Sequence, residues 1–345
     1  MDIKSLNKEE LKKEFELLGL PKFRANQVYE WMHVKLAGNF EEMTNLSKDL
    51  RKTLSDKYSY TTLEVERVQT SKLDGTKKFL FALPDGNLVE SVYMRYKHGI
   101  SICISSQVGC RMGCKFCAST LDGLERNLLP SEMLEQIYEI MRITGERVSN
   151  IVVMGTGEPM DNYDNVVKFY KMLTDSEGLN ISGRNVTVST CGIVPNMRRL
   201  AEENLSLTLA LSLHAVTDEK RRELMPIANS YSIAELMEAC KYYFEKTGRR
   251  ISFEYSMVAG VNDSAEDARK LSRLAGGVKA HVNLIPVNPI KERSFIRSGE
   301  RAILEFKNKL EKNGINVTIR REMGQDIDGA CGQLRRRILS ADKPD

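Results

Sequence analysis

Three cysteines stand close together as Cys110-x3-Cys114-x2-Cys117. Thiolates are soft ligands that suit zinc or iron–sulfur clusters. A closed structural zinc site takes a fourth Cys or His. None follows at zinc-finger spacing, and His98 precedes the cluster from the far end of an apolar run. Three ligands leave one metal position open to a cofactor, which favours an iron–sulfur cluster with one open iron over zinc or over three free thiols. The other cysteines read differently. Cys191 and Cys240 fit as small buried hydrophobes. Cys103 lies inside the apolar run, where a core cysteine is the default. Cys331 sits among small residues in Asp326-Ile-Asp-Gly-Ala-Cys-Gly-Gln333, so it is either an accessible, reactive thiol or a plain loop residue.

A second motif, Gly155-Thr-Gly-Glu-Pro159, directly follows an apolar strand pattern. Its glycines let the backbone approach a ligand closely, and Glu158 could accept hydrogen bonds from an amine. The competing reading is a simple turn. Ser189, Ser212, His214 and Asn288 all fall at or just beyond strand ends, where each alone would be a cap or turn residue. Their shared placement suggests a polar pocket on one rim. Glu90, between Val89 and Val92, reads by default as a solvent-face acid in a strand.

The surrounding pattern supplies the scaffold. Residues 1–58 read as a small helical module, with Leu11, Phe15 and Leu18 and then Val28, Trp31 and Met32 at helical spacing. Residues 59–97 alternate as three short strands with Asp74-Gly75 and Asp85-Gly86 at the turns. From residue 98 to 334 strands and helices alternate. Strands are expected at 100–104, 150–154, 185–189, 207–213, 251–255 and 281–285, with a further one at 316–319. Helices are expected between them, the first running from a Ser131 cap to about Ile143. Repeated strand–helix units imply a parallel sheet, and six units fall short of the eight in a complete barrel. An open, incomplete barrel and a doubly wound sheet both fit. Residues 335–345 read as a tail, disordered at its end. In such sheets the loops at the carboxyl ends of strands build the site, which is where the three cysteines and the Gly-Glu motif fall.

The 345 residues are 41% hydrophobic and 28% charged, with a net charge of +4. That balance does not by itself indicate a nucleic-acid binder. The helical module carries Lys22, Arg24, Lys35, Arg51 and Lys52, but nearly as many acids, so a solvated packing appendage competes with an RNA-contacting arm. No apolar run reaches membrane-span length, and the first residues lack a secretory pattern. The expectation is a cytoplasmic protein, in which seven cysteines point to metal or thiol chemistry rather than a disulfide framework.

Together the three-cysteine and Gly155-Thr-Gly-Glu-Pro159 motifs resemble the radical S-adenosylmethionine (SAM) superfamily. Ser105-Ser-Gln-Val-Gly-Cys110, Val186-Thr-Val-Ser-Thr190, Leu211-Ser-Leu-His-Ala215, Asn283-Leu-Ile-Pro-Val-Asn288 and Ala330-Cys-Gly-Gln-Leu334 narrow the resemblance to the RlmN/Cfr family over nearly the whole chain. Pro159 resembles the RlmN branch, whereas Thr156 departs from the more frequent Met. The resemblance implies an incomplete (β/α)6 barrel with a helical N-terminal domain. It implies a [4Fe–4S] cluster on Cys110, Cys114 and Cys117, and SAM held by Gly157, Glu158, Ser189, Ser212, Leu213, His214 and Asn288.

The activity implied is methylation of adenine C2 in 23S rRNA and in tRNA beside the anticodon, by a monomer served by an electron donor such as flavodoxin or ferredoxin. Cys331 would first be methylated. A second SAM would then give a radical that activates that methyl group for addition to C2. Glu90 would take the C2 proton, and Cys103 would release the product by forming a disulfide with Cys331. Three other readings differ in what they require. A C8-methylating relative would give a different product. A glycyl-radical activase would need neither Cys331 nor Cys103, and a non-catalytic iron–sulfur binder would need no Gly-Glu loop.

Overall fold

A computed structural model describes residues 1–288 and 295–341. The expected disordered end of the tail, residues 343–345, lies outside the described residues. The helical module holds α1 (Lys8–Leu17), α2 (Lys22–His33) and α3 (Lys48–Lys57). Asn7 and Ser47 accept the orphan N–H groups that start α1 and α3. Ile3, Leu11, Phe15, Val28, Met32, Phe40 and Leu54 give the module its own core. Buried Lys4 fastens it to the barrel, bonding Glu135 at 2.5 Å and the Thr61 carbonyl at 2.8 Å.

Next come β1 (Glu64–Thr70), β2 (Lys77–Ala82) and β3 (Leu88–Tyr96), an antiparallel meander turning at the two Asp-Gly pairs. β4 (Gly99–Ile104) pairs antiparallel with β3. A small hairpin of β5 (Gln107–Gly109) and β6 (Leu124–Asn127) then brackets the cysteine loop. The rest alternates: α4 (Pro130–Thr144), β7 (Asn150–Val153), α5 (Tyr163–Leu173), β8 (Val186–Thr190), α6 (Val194–Glu202), β9 (Thr208–Ser212), α7 (Asp218–Leu224), α8 (Ile233–Thr247), β10 (Ser252–Met257), α9 (Ala265–Gly277), β11 (His281–Pro286), α10 (Glu300–Lys312), β12 (Val317–Ile319) and α11 (Gln333–Ala341).

The main sheet runs β1-β2-β3-β4-β7-β8-β9-β10-β11-β12 and does not close on itself. From β4 onward every pairing is parallel, so this is the incomplete barrel, and the meander extends its first edge. One continuous core of Ile, Val, Leu and aromatic residues joins the sheet to α4, α5, α6, α8, α9 and α10.

Three elements escaped the sequence reading: the β5–β6 hairpin, α7 and α11. The first two are short, and α7 carries almost no apolar periodicity. α11 begins at Gln333 and crosses the expected start of the tail at 335. Ser131 is also not the cap of α4. Pro130 opens that helix, Glu132 accepts the Leu129 N–H (2.8 Å), and the Ser131 hydroxyl pairs with Ser5 instead. Proline suits that first position because its missing N–H would have had no helical partner.

Candidate active site

The cysteine loop is held at both ends. The Cys110 N–H donates to the Gly123 carbonyl (2.7 Å), and the Lys115 N–H donates to the Leu224 carbonyl of α7 (2.9 Å). The Thr120 hydroxyl donates to the carbonyls of Cys114 (3.1 Å) and Cys117 (3.0 Å). Cys114 packs with Cys191, Ala215, Leu224 and Met225. Cys110, Cys114 and Cys117 lie near enough that Cys117 raises the pKa of both others and Cys110 that of Cys114. Burial does most of the raising, taking Cys110 to about 12 and lifting Cys117 as well.

Three soft donors that disfavour each other's charge want a cation between them. Among the described residues no three His, Cys, Asp or Glu groups converge as on a single metal ion. The soft, all-thiolate donor set fits an iron–sulfur cluster, which Cys110, Cys114 and Cys117 would hold.

The Gly-Glu motif after β7 is packed against the loop after β4. A Cβ on Gly155 would fall 2.7 Å from the Ile104 carbonyl oxygen. One on Gly157, whose φ is +113°, would fall 2.7 Å from Gln107 Cβ. These glycines therefore admit neighbouring protein as closely as any ligand. Glu158 is buried, and its carboxylate accepts the backbone N–H groups of Cys191 (2.7 Å) and Met160 (3.0 Å). Burial raises its pKa, and those hydrogen bonds oppose the rise. Glu158 thus ties the loop after β7 to the loop after β8.

The remaining rim residues come from adjacent strand ends. The Ser189 hydroxyl donates to the Val153 carbonyl (3.1 Å). Ser212 ends β9, and buried Leu213 follows it. His214 has φ +55°, and its Nδ1 accepts the Ser256 N–H (2.9 Å). Burial, and then the Arg221 charge, lower its pKa to about 3, so the ring stays neutral. Phe116 of the cysteine loop meets the His214 ring edge-on at 4.7 Å.

The sequence reading missed Arg221. It is wholly buried, and its guanidinium donates to the carbonyls of Cys191 (2.6 Å), Leu213 (3.2 Å) and Ser212 (3.3 Å). Nothing in Asp218-Glu-Lys-Arg-Arg-Glu223 separates it from a solvated helix charge. Cys191, read as a core residue, is buried but stands beside Glu158 and Cys114.

The longest-range convergence brings Cys331 to Cys103. The two thiols line the same cavity and lie near enough to shift each other, Cys103 upward and Cys331 downward. The Cys331 sulfur lies 3.5 Å from the Met154 carbonyl oxygen. A Cβ on Gly332 would stand 3.0 Å from the Ser119 nitrogen, so this loop rests on the cysteine loop. Glu90 is 3% exposed, not on a solvent face. It accepts the N–H groups of Gly332 (2.6 Å) and Arg335 (2.7 Å) and pairs with Lys78 at 2.9 Å. A cavity of about 800 Å³ opens beside the thiols, lined by Cys103, Asn288, Arg320, Arg321, Met323 and Cys331 among others. Of the expected rim residues only Asn288 borders it. Glu158, Ser189, Ser212 and His214 lie over the neighbouring strand ends.

Comparison with known proteins agrees with this geometry. The Radical SAM superfamily profile matches residues 104–272, and the ribosomal RNA large subunit methyltransferase N-terminal domain matches residues 1–59. The chain is 65% identical to the probable dual-specificity RNA methyltransferase RlmN of Lachnospira eligens, covering 98% of this chain and 97% of that one. It is 64% identical to the protein of the same name from Lachnoclostridium phytofermentans, covering 97% and 94%. A solved radical SAM methyltransferase from Sphaerobacter thermophilus superposes with a TM-score of 0.92 at 41% identity, covering 96% of this chain and 98% of that one. With the partial barrel, the three-cysteine loop and the helical module all in place, the chain belongs to the RlmN family of radical SAM RNA methyltransferases.

Proposed function

We propose that this methyltransferase makes 2-methyladenosine in 23S rRNA and in tRNA beside the anticodon, using Cys331 as the methyl carrier and Cys103 as the thiol that releases product. The superfamily works with SAM and a [4Fe–4S] cluster. Here Cys110, Cys114 and Cys117 would hold the cluster, with Gly157, Glu158, Ser189, Ser212, Leu213, His214 and Asn288 around SAM. When bound, these cofactors supply the methyl group and the radical chemistry that an electron-poor adenine carbon requires, with two SAM consumed per turnover. The observation that carries the reading is that Cys103 and Cys331, from opposite ends of the catalytic domain, meet on the wall of one cavity.

Cys103, as the thiolate, would attack the Cys331 sulfur: an S–S bond forms, the bond from that sulfur to the methyl-derived carbon breaks, and the carbon keeps the electron pair and takes a proton to become the methyl group. The disulfide would need external reduction before the next cycle, and an electron donor such as flavodoxin or ferredoxin would serve the enzyme. Glu90, beside the Cys331 loop, would take the C2 proton. The target base has to leave its stack to reach the cavity, and Arg320 and Arg321 on the cavity wall would meet backbone phosphate. The work is that of a monomer in the cytoplasm. Among the described residues no helix is long and apolar enough to cross a membrane.

Anaerobic reaction with ribosomal RNA and tRNA, followed by nucleoside mass spectrometry, tests the reading. C2-methyladenosine is expected. A C8-methyl product would reassign the regiochemistry, and no methylated adenosine from either RNA would reject the proposal. In the Cys103→Ala protein an RNA crosslink should accumulate. Normal turnover by that variant, with no crosslink, would sink the two-thiol mechanism.

A further inference from the structure

We propose that Lys78 is a positioning residue for the reaction: its ammonium clamps the Cys331 loop to the meander and so holds Cys331 against Cys103. The inference rests on the two-thiol reading for its functional meaning, but the clamp itself is geometric. Lys78 is 0% exposed. An ammonium has three N–H donors; here it bonds the Asp328 carbonyl at 2.7 Å and the Ala330 carbonyl at 2.5 Å, and its charge is paired with Glu90 Oε2 at 2.9 Å. Glu90 completes the grip from the other side of Cys331 by accepting the N–H groups of Gly332 and Arg335. The pair therefore holds carbonyls before Cys331 and amides after it.

The anchor is stiff. A lysine stem is ordinarily flexible, but Lys78 lies in the middle strand of the meander, paired with Gln69 on β1 and Val92 on β3. Gln69 adds a reciprocal pair of bonds to Asp328, at 2.9 and 3.0 Å. Ser71 bonds Asp326 at 2.5 Å, and Asp74 accepts the Gly324 N–H at 2.9 Å. The meander is thus the cradle of the C-terminal thiol loop. In this cradle Lys78 and Glu90 are the two groups that touch the residues next to Cys331.

The test is the rate at which Cys103 and Cys331 form a disulfide in the full-length protein treated with diamide, read by peptide mass spectrometry. The two thiols lose two protons and two electrons to diamide, which becomes the hydrazine, and one S–S bond forms. Lys78→Met should slow this by about ten-fold or more, since small misplacements of reacting atoms carry large rate penalties. Lys78→Arg should recover part of the rate. The iron content after reconstitution should stay at the wild-type level in both, because no cysteine of the three-cysteine loop touches Lys78.

If Lys78→Met fails to fold, the double variant Lys78→Met/Glu90→Gln removes the stranded carboxylate charge and should show the same slow closure. Wild-type amide exchange gives a check that needs no variant: the N–H groups of Asp328, Gly332 and Arg335, which Gln69 and Glu90 hold, should exchange as slowly as those of β2. Disulfide formation at the wild-type rate in either Met variant, or wild-type exchange there as fast as in a free peptide, overturns the clamp. Methylation that survives Cys331→Ala would instead overturn the two-thiol reading and leave the clamp intact.

Discussion

Cys103, within β4, and Cys331, in the loop before α11, meet on the wall of one cavity, and the meeting treats the two sulfurs unequally. Cys331 is held below the ordinary thiol range first by its neighbour Cys103 and then by the charges of Lys78 and Arg320, with burial opposing. Cys103 is pushed up by the same contact and by burial. Alkylation proceeds through the thiolate, and a lowered pKa means thiolate at lower pH. Iodoacetamide should therefore label Cys331 well before Cys103 at pH 7, by about ten-fold. Cys103→Ala removes the largest cause, so the pH profile of Cys331 labelling should move to higher pH. Equal labelling of the two cysteines in peptide maps would contradict this asymmetry.

Gly157 tests how the loops after β4 and β7 are packed together. A methyl group there would sit 2.7 Å from Gln107 Cβ and 2.8 Å from its nitrogen, at a φ of +113°. Neither the Gln107 backbone nor the Gly157 torsion can relax without moving the loops after β4 and β7. Gly157→Ala should cost about 3 kcal/mol or more, combining overpacking with backbone strain. Urea unfolding measures it. Gly248→Ala, at an open helix end with nothing within 4 Å, isolates the torsional part and should cost less.

Two buried histidines set a pH dependence of stability. Burial, and then the charge of nearby Lys4, lower the pKa of His33 to about 3, and its Nδ1 pairs with the Tyr138 hydroxyl at 2.8 Å. His214 is lowered to about 3 as well. In the unfolded chain each takes a proton below about pH 6.5, while the native rings stay neutral, so stability falls with falling pH. The loss begins near pH 6.5 and is complete only near the folded pKa. Between pH 6.5 and 5 each contributes about 2 kcal/mol. His33→Gln should remove about half of that pH dependence in denaturant titrations at pH 7 and 5.

Much of this architecture was legible in the residues. The strands of the parallel sheet are dense apolar runs such as Asn150-Ile-Val-Val153, and strand–helix alternation allows few topologies. The cysteine spacing and the Gly-Glu motif could be placed on one rim because both directly follow strands. What stayed hidden depends on distant parts of the chain. Lys78, in Lys77-Lys-Phe-Leu-Phe-Ala82, resembles an edge-strand lysine until the residues around Cys331 fold back onto it. Glu90 looked solvent-facing because strand alternation does not reveal that a C-terminal loop covers that face. Arg221 sits in a run of charges with no local sign that its carbonyl partners surround it. A buried ion is legible only with its partners, and those partners are far away in sequence.

Glu158 offers a test of whether the motif's acid serves the fold as well as the cofactor. Its two carboxylate oxygens accept the N–H groups of Met160 and Cys191, joining the loops after β7 and β8. Glutamine keeps the shape but replaces one oxygen with an NH2 group, which then faces a backbone N–H it cannot accept. One buried amide loses its partner whichever way the side chain flips, at about 1–3 kcal/mol. Glu158→Gln should therefore lower the unfolding midpoint even without SAM, and calorimetric titration should show weaker SAM binding as well. A variant with wild-type stability and weakened binding would make Glu158 a cofactor ligand alone, with the Cys191 and Met160 bonds incidental. Weakened stability with unchanged binding would make it a strut between loops. The geometry predicts both losses together, because the loop that Glu158 fixes is the one expected to face the cofactor.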